Sequence, residues 1–287
     1  MKPVMGTEAA LAENLANWDE RARLHLDSYR AEAFADDPGE VELIVADSVD
    51  LMRPHLPGGS VDGLQVVHLQ CHIGNDSISL ARLGADVTGV DFSGEAVAIA
   101  TSLARRAGLS ERVRFAQARV EEAPQALGGR QFDLVYTSVG VLCWLPDMAG
   151  WARAVAALLK PGGLFFILED HPMLCALDWD AEGGRLVAAH PYFWREQPLT
   201  WDDGVDYSSP VTLQNNRSHE WAHPLSELFT VLLEAGLSIE SFQEHRKMYW
   251  KANDALQPTA TGEWALADHP ERVPLMFSLA ARKPDTG

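Results

Sequence analysis

Two hydrophobic rhythms alternate along the middle of the chain. Residues 64–70, 85–91, 113–117, 132–137 and 164–168 are short apolar runs of strand length. Between them, residues 76–83, 94–107 and 148–159 carry apolar side chains at helical spacing and end at Gly84, at Gly108 and at the Lys-Pro-Gly-Gly stretch of residues 160–163. Strands alternating with helices predict an α/β fold, a doubly wound and mostly parallel sheet covered on both faces. Ahead of this block, residues 7–35 are rich in Ala, Leu and Glu and predict one or two helices; residues 41–53 predict another. Behind it, residues 171–223 show no clear period yet hold Trp179, Tyr192, Phe193, Trp194, Trp201, Tyr207 and Trp221. A stretch of that length is functional or carries structure of its own. A helix at 224–235 and two strands at 237–244 and 273–281 close the pattern, and no internal repeat appears.

Composition narrows the choice of partner. The 287 residues carry a formal net charge of −18, which argues against nucleic acid or an anionic membrane and favours a small-molecule ligand. Three cysteines, Cys71, Cys143 and Cys175, without a CxxC pair predict reduced thiols. No run approaches the ~18 apolar residues of a membrane span, and the first residues lack a signal-peptide core, so the expected location is cytoplasmic. No HxH spacing occurs, and no metal site is expected.

The stretch from Val66 to Ser93, VVHLQCHIGNDSISLARLGADVTGVDFS, has the outline of a nucleotide-binding βαβ unit. Its turn is poor in glycine, with only Gly74 at the helix entrance, whereas a pyrophosphate needs several glycines for close backbone approach. The second strand ends at Asp91, 17 residues after Gly74, where a carboxylate can accept hydrogen bonds from both ribose hydroxyls. A ligand with a ribose and no phosphate satisfies both features, and S-adenosylmethionine is such a ligand.

These motifs resemble those of the class I S-adenosylmethionine-dependent methyltransferases, over residues 64–168 with further agreement towards the C-terminus. VVHLQCHIGND resembles the family's first motif, GVDFS its second, FDLVYTSVG its fourth, and LLKPGG its signature before the fifth strand. The HLQCHIG turn is similar to that of a bacterial subgroup acting on small molecules. The resemblance implies a seven-stranded, Rossmann-like methyltransferase sheet whose last strand runs antiparallel, with N-terminal helices and a lid insertion after the fifth strand. The expected division is an N-terminal helical cap at 1–56 and a methyltransferase domain at 57–287, with 171–223 as the lid over the acceptor.

The cofactor residues implied are Gln70, His72, Gly74, Asn75, Asp76, Asp91, Phe92, Arg119, Val120 and Ser138. Two departures stand out: His68 occupies the place of the usual acid on the first strand, and Arg119 replaces an acid that often faces adenine, leaving the backbone near Val120 to serve. Asn75 and Asp76 also suit helix capping. Past the fifth strand, Glu169, Asp170 and His171 are candidate bases or orienting groups, with Glu169 favoured as the catalytic base. Tyr29, His171, Trp194, Trp201 and His245 are the expected substrate contacts; Trp18 and Tyr29 fall on a helix that similar enzymes fold across the cofactor. Aromatic faces suit a sulfonium or a carbocation.

The expected activity is methyl transfer from S-adenosylmethionine, leaving S-adenosylhomocysteine, to a small molecule. C-methylation of an isoprenoid or prenyl substrate in secondary metabolism is the leading specific expectation. Magnesium would enter only with a diphosphate, which Arg195, Arg217, Lys247 and Lys251 could meet. N- or O-methylation of an aromatic or amine metabolite, an NAD(P)-dependent oxidoreductase and a non-catalytic cofactor-binding module are the alternatives. A homo-oligomer is compatible with a free N-terminal helix.

Overall fold

The computed structural model describes residues 6–178, 181, 183, 185–202, 204–206, 208–252 and 254–285; Trp179 and Tyr207 of the aromatic stretch lie outside them. The predicted alternation builds one central sheet. Its strands, numbered along the chain, are β1 (Gln65–Leu69), β2 (Asp86–Asp91), β3 (Val113–Gln117), β4 (Phe132–Ser138), β5 (Leu159–Asp170), β6 (Ser238–His245) and β7 (Met276–Arg282). Their spatial order is β6-β7-β5-β4-β1-β2-β3. Pairings among β1 to β5 are parallel, and β7 runs antiparallel to both β5 and β6. Strand order reverses between β1 and β4, the place where open α/β sheets form a crevice.

Helices cover both faces because their apolar stripes need burial. On one face lie α2 (Ala31–Asp36), α3 (Leu43–Met52), α4 (Asn75–Arg82) and α5 (Gly94–Arg106), packed in a cluster that includes Phe34, Val45, Ile78 and Leu103. On the other lie α6 (Ala123–Ala126), α7 (Met148–Leu158) and α9 (Leu225–Glu234), around Trp151, Val155 and Leu232. The expected fifth strand at 164–168 is longer at both ends. Lys-Pro-Gly-Gly is itself extended, and Leu159 already pairs with Phe132 across a register shift. A short α8 (Pro172–Cys175) follows β5.

The long N-terminal helix α1 (Thr7–Ser28) packs against α5 and against the insertion. The insertion's strands are two-stranded pieces, Leu199–Trp201 with Ser218–Glu220 and Val205–Asp206 with Ser209–Thr212. Polar bonds join it to α1: Asn14 and His219 exchange side-chain and main-chain hydrogen bonds of 2.9 and 2.8 Å, and Glu20 accepts from the main-chain N–H of Gln214 and Asn215. Residues 247–266 add a three-stranded antiparallel sheet that hydrophobic periodicity does not announce.

Candidate active site

The glycine-poor turn adopts a backbone that glycine would adopt more easily. Gln70 and His72 have φ of 56° and 49°, left-handed values that cost L-residues on the order of 1 kcal/mol each. Side-chain bonds hold both residues there. Gln70 Nε2 donates to the carbonyl of Val141 after β4 (2.9 Å), and His72 Nε2 pairs with His25 Nδ1 of α1 (2.8 Å). Gly74 has φ 86°, and a Cβ there would sit 2.7 Å from the Phe115 ring, so this position needs glycine for space as well as for conformation.

Asp91 ends β2 beside this turn. One carboxylate oxygen accepts from His72 N–H (2.8 Å) and the other from Ser93 N–H (2.9 Å). Burial raises its pKa to about 6 against those two bonds. Across the turn, Asp76 accepts from the Ser138 hydroxyl (2.6 Å), and burial lifts its pKa to about 6 as well. His68, the departure on β1, pairs with Ser77 (2.9 Å); burial lowers its pKa to about 3, so it is a neutral hydrogen-bonding partner. Asn75 Nδ2 donates to Glu42 (2.9 Å). Buried oxygens of Gln70 and Asn75 have no partner among the described residues. Orphaned acceptors beside two carboxyls fit a ligand that brings an ammonium and sugar hydroxyls.

On the β2–β3 side, Phe92 is half-buried and Val120 buried. Arg119 points elsewhere: its guanidinium pairs with Glu121 (2.8 Å) and with Glu8 of α1 (3.2 Å).

A second space opens beyond β4, β5 and β7. It encloses about 520 Å³ including its solvent-open mouth, and its walls include Leu142, Cys143, Tyr192, Trp221, Leu228 and Phe277. Glu169 and Asp170 both border it, but in different states. The two oxygens of Glu169 accept four main-chain N–H groups, from Gly140, Val141, Leu142 and Asp170, at 2.5 to 3.2 Å. Glu169 therefore staples the loop after β4, and its lone pairs are engaged. Oδ1 of Asp170 is buried with no hydrogen-bond partner among the described residues. Burial raises the pKa of both carboxyls. Four N–H donors counter this at Glu169, whereas the charges of Glu169 and Glu220 add to it at Asp170. Burial and those neighbouring charges push the Asp170 carboxyl upward.

The other expected contacts are not among the described residues lining this space. His171 caps α8, accepting from Met173 N–H, and its Nε2 lies 3.1 Å from Glu244. His245 pairs with Ser278 on β7 (2.9 Å). Trp194 is exposed, and Trp201 meets His190 edge to face. Tyr29 stacks on His25, with ring centroids 4.5 Å apart. Arg217, Lys247 and Lys251 pair with Glu13, Glu263 and Asp254, and Arg195 is exposed. No group of three or more His, Cys, Asp or Glu suited to a metal occurs among the described residues. Sequence reasoning passed over His25, Asp19 and Asp206, and the wall residues Cys143 and Cys175. For all but Cys143, which follows β4, the available signal was their place on a helix or insertion expected to cover the site.

Residues 67–165 match the family model of a methyltransferase domain. A ubiquinone biosynthesis O-methyltransferase of Bordetella avium is 37% identical over 108 residues, 38% of this chain and 43% of that protein; the match thus spans under half of that relative's length. Among solved structures, an S-adenosylmethionine-dependent methyltransferase from Mesorhizobium loti superposes with a TM-score of 0.56 at 22% identity, over 83% of this chain and 99% of the other. The 1,6-didemethyltoxoflavin-N1-methyltransferase of Burkholderia thailandensis, solved with 1,6-didemethyltoxoflavin and S-adenosylhomocysteine, gives 0.56 at 18% identity, over 99% and 93%. The family match is thus confined to residues 67–165, and the superposition shows that the chain shares the fold of the Mesorhizobium loti structure.

Proposed function

We propose that this chain is a class I S-adenosylmethionine-dependent methyltransferase and that it methylates an oxygen or nitrogen of a small, uncharged, flat metabolite. One observation carries the choice: an apolar, aromatic-walled crevice holds a buried carboxyl oxygen of Asp170 that has no partner among the described residues. When bound, the cofactor supplies a methyl already activated on a sulfonium. In this reading Asp91 grips the ribose, Asp76 and the orphaned oxygens of Gln70 and Asn75 meet the methionine ammonium, Ser138 lies beside it, and Phe92 and Val120 flank the adenine. The loop stapled by Glu169 forms the floor between cofactor and acceptor. Asp170, once ionised, would take the proton that the acceptor loses on receiving the methyl, and the cofactor would leave as its neutral thioether. The cap and the insertion exclude water from that displacement.

Support for a heteroatom acceptor comes from the names of the relatives, an O-methyltransferase and an N-methyltransferase. A prenyl diphosphate is less well served, because the described lining has no Lys or Arg. Incubation with S-adenosylmethionine and a panel of phenols, catechols, N-heterocycles and prenyl diphosphates, read by S-adenosylhomocysteine release, tests the reading. Turnover is expected with an aromatic hydroxyl or ring nitrogen; turnover with prenyl diphosphates alone would overturn it.

A further inference from the structure

The carboxylate that ends β2 is oriented by two N–H donors, His72 and Ser93, and the side chains of both donor residues are held by α1. His72 Nε2 meets His25 Nδ1 at 2.8 Å. The Ser93 hydroxyl donates to Asp19 Oδ1 at 2.5 Å. Asp19 and His25 lie six residues apart on one helix and reach the two sides of the same carboxylate. His25 is itself fixed from behind: its Nε2 lies 3.0 Å from Asp206 Oδ2, and the same oxygen accepts from Arg21 at 2.6 Å. Burial pushes the Asp206 carboxyl up, but the hydrogen bonds from His25 and Ser208 prevail and keep it ionised. His25 is therefore anchored by a permanent charge supplied by the insertion.

We infer that Asp19 and His25 are positioning residues of the cofactor site, clamping the two donors that aim Asp91 at the ribose. The inference rests on the cofactor reading above. Its physical basis is the left-handed φ of His72, 49°. The His25 bond is the side-chain hydrogen bond that holds His72 in this conformation, and its loss lets the strained residue relax and its N–H turn away from Asp91. The clamp also explains why α1 packs over the turn through polar atoms: a greasy contact would cover the site but not set the direction of a carboxylate. Trp18 closes the same corner, edge-on to His72 with ring centroids 5.2 Å apart.

The test compares S-adenosylhomocysteine with its 2′,3′-dideoxy analogue, which cannot engage Asp91. Full-length wild type, His25→Ala and Asp19→Ala are titrated with each, alongside thermal unfolding to confirm folding. Expected are a loss of roughly tenfold or more in affinity for S-adenosylhomocysteine in His25→Ala and several-fold in Asp19→Ala, the latter carrying the test if the buried histidine variant does not fold. Affinity for the dideoxy analogue should stay within twofold of wild type. Equal losses for both ligands, or no loss for either, would overturn the clamp alone. A wild type that takes up no S-adenosylhomocysteine would overturn the cofactor reading and the clamp with it.

Discussion

The two halves of the sheet's carboxyl edge are built on opposite chemistry. Around β1 and β2, polar groups crowd together: His68, His72, Asp76, Asp91 and Ser138 are linked by hydrogen bonds to one another's elements and to α1. Around β4, β5 and β7 the walls are apolar and aromatic, with a buried Asp170 oxygen that has no partner among the described residues. A dense network selects one ligand by geometry, since each misplaced group strands a partner. A greasy crevice selects by shape and tolerates variation. The nucleotide half thus suits a fixed cofactor, and the other half suits an acceptor that differs among enzymes on the same sheet.

Substitutions on each side should expose that contrast. Asp170→Asn should lower turnover by roughly 10²–10⁴-fold, the range for loss of a general base, with S-adenosylhomocysteine affinity unchanged in a parallel titration. Because burial raises the Asp170 pKa, wild-type turnover should climb with pH as the carboxyl ionises, and a flat profile would count against Asp170. Glu169→Gln should act on stability, costing about 2–3 kcal/mol in denaturant unfolding, because an amide nitrogen would face N–H donors that a carboxylate satisfies. If instead turnover collapses while stability holds, Glu169 and not Asp170 is the base.

Cofactor affinity should be pH-sensitive on the polar side. Asp91 and Asp76 have pKa values near 6, raised by burial. Sugar hydroxyls and an ammonium bind the ionised carboxylates, so affinity is full above that pH and falls as pH drops through it, by up to about tenfold per unit for each group. Titrations at pH 7.5, 6 and 5 check the sign. Arg119→Ala should do least. It removes exposed ion pairs worth about 0–1 kcal/mol and should leave S-adenosylhomocysteine affinity within twofold.

The sheet was legible in sequence because each strand and helix writes its period locally. The position of Asp91 at the end of a strand was legible for the same reason, standing where an apolar run stops. Local pattern placed Glu169 at a strand end too, but it could not show that the loop 29 residues upstream folds its N–H groups onto that carboxylate. The clamp was still further from reach: His25 and Asp206 stand 181 residues apart, and the insertion that brings them together has no hydrophobic period. Residues 247–266 were missed because their strands are two or three residues long, too short for alternation to register.

Calorimetric titration of wild type and Asp91→Ala with S-adenosylhomocysteine and with NADH tests the cofactor assignment most directly. Wild type should bind S-adenosylhomocysteine and ignore NADH, and Asp91→Ala should lose roughly tenfold to hundredfold in affinity, as expected for charge-assisted hydrogen bonds to a sugar. Tight uptake of NADH without heat from S-adenosylhomocysteine, or an Asp91→Ala variant that binds as well as wild type, would contradict it.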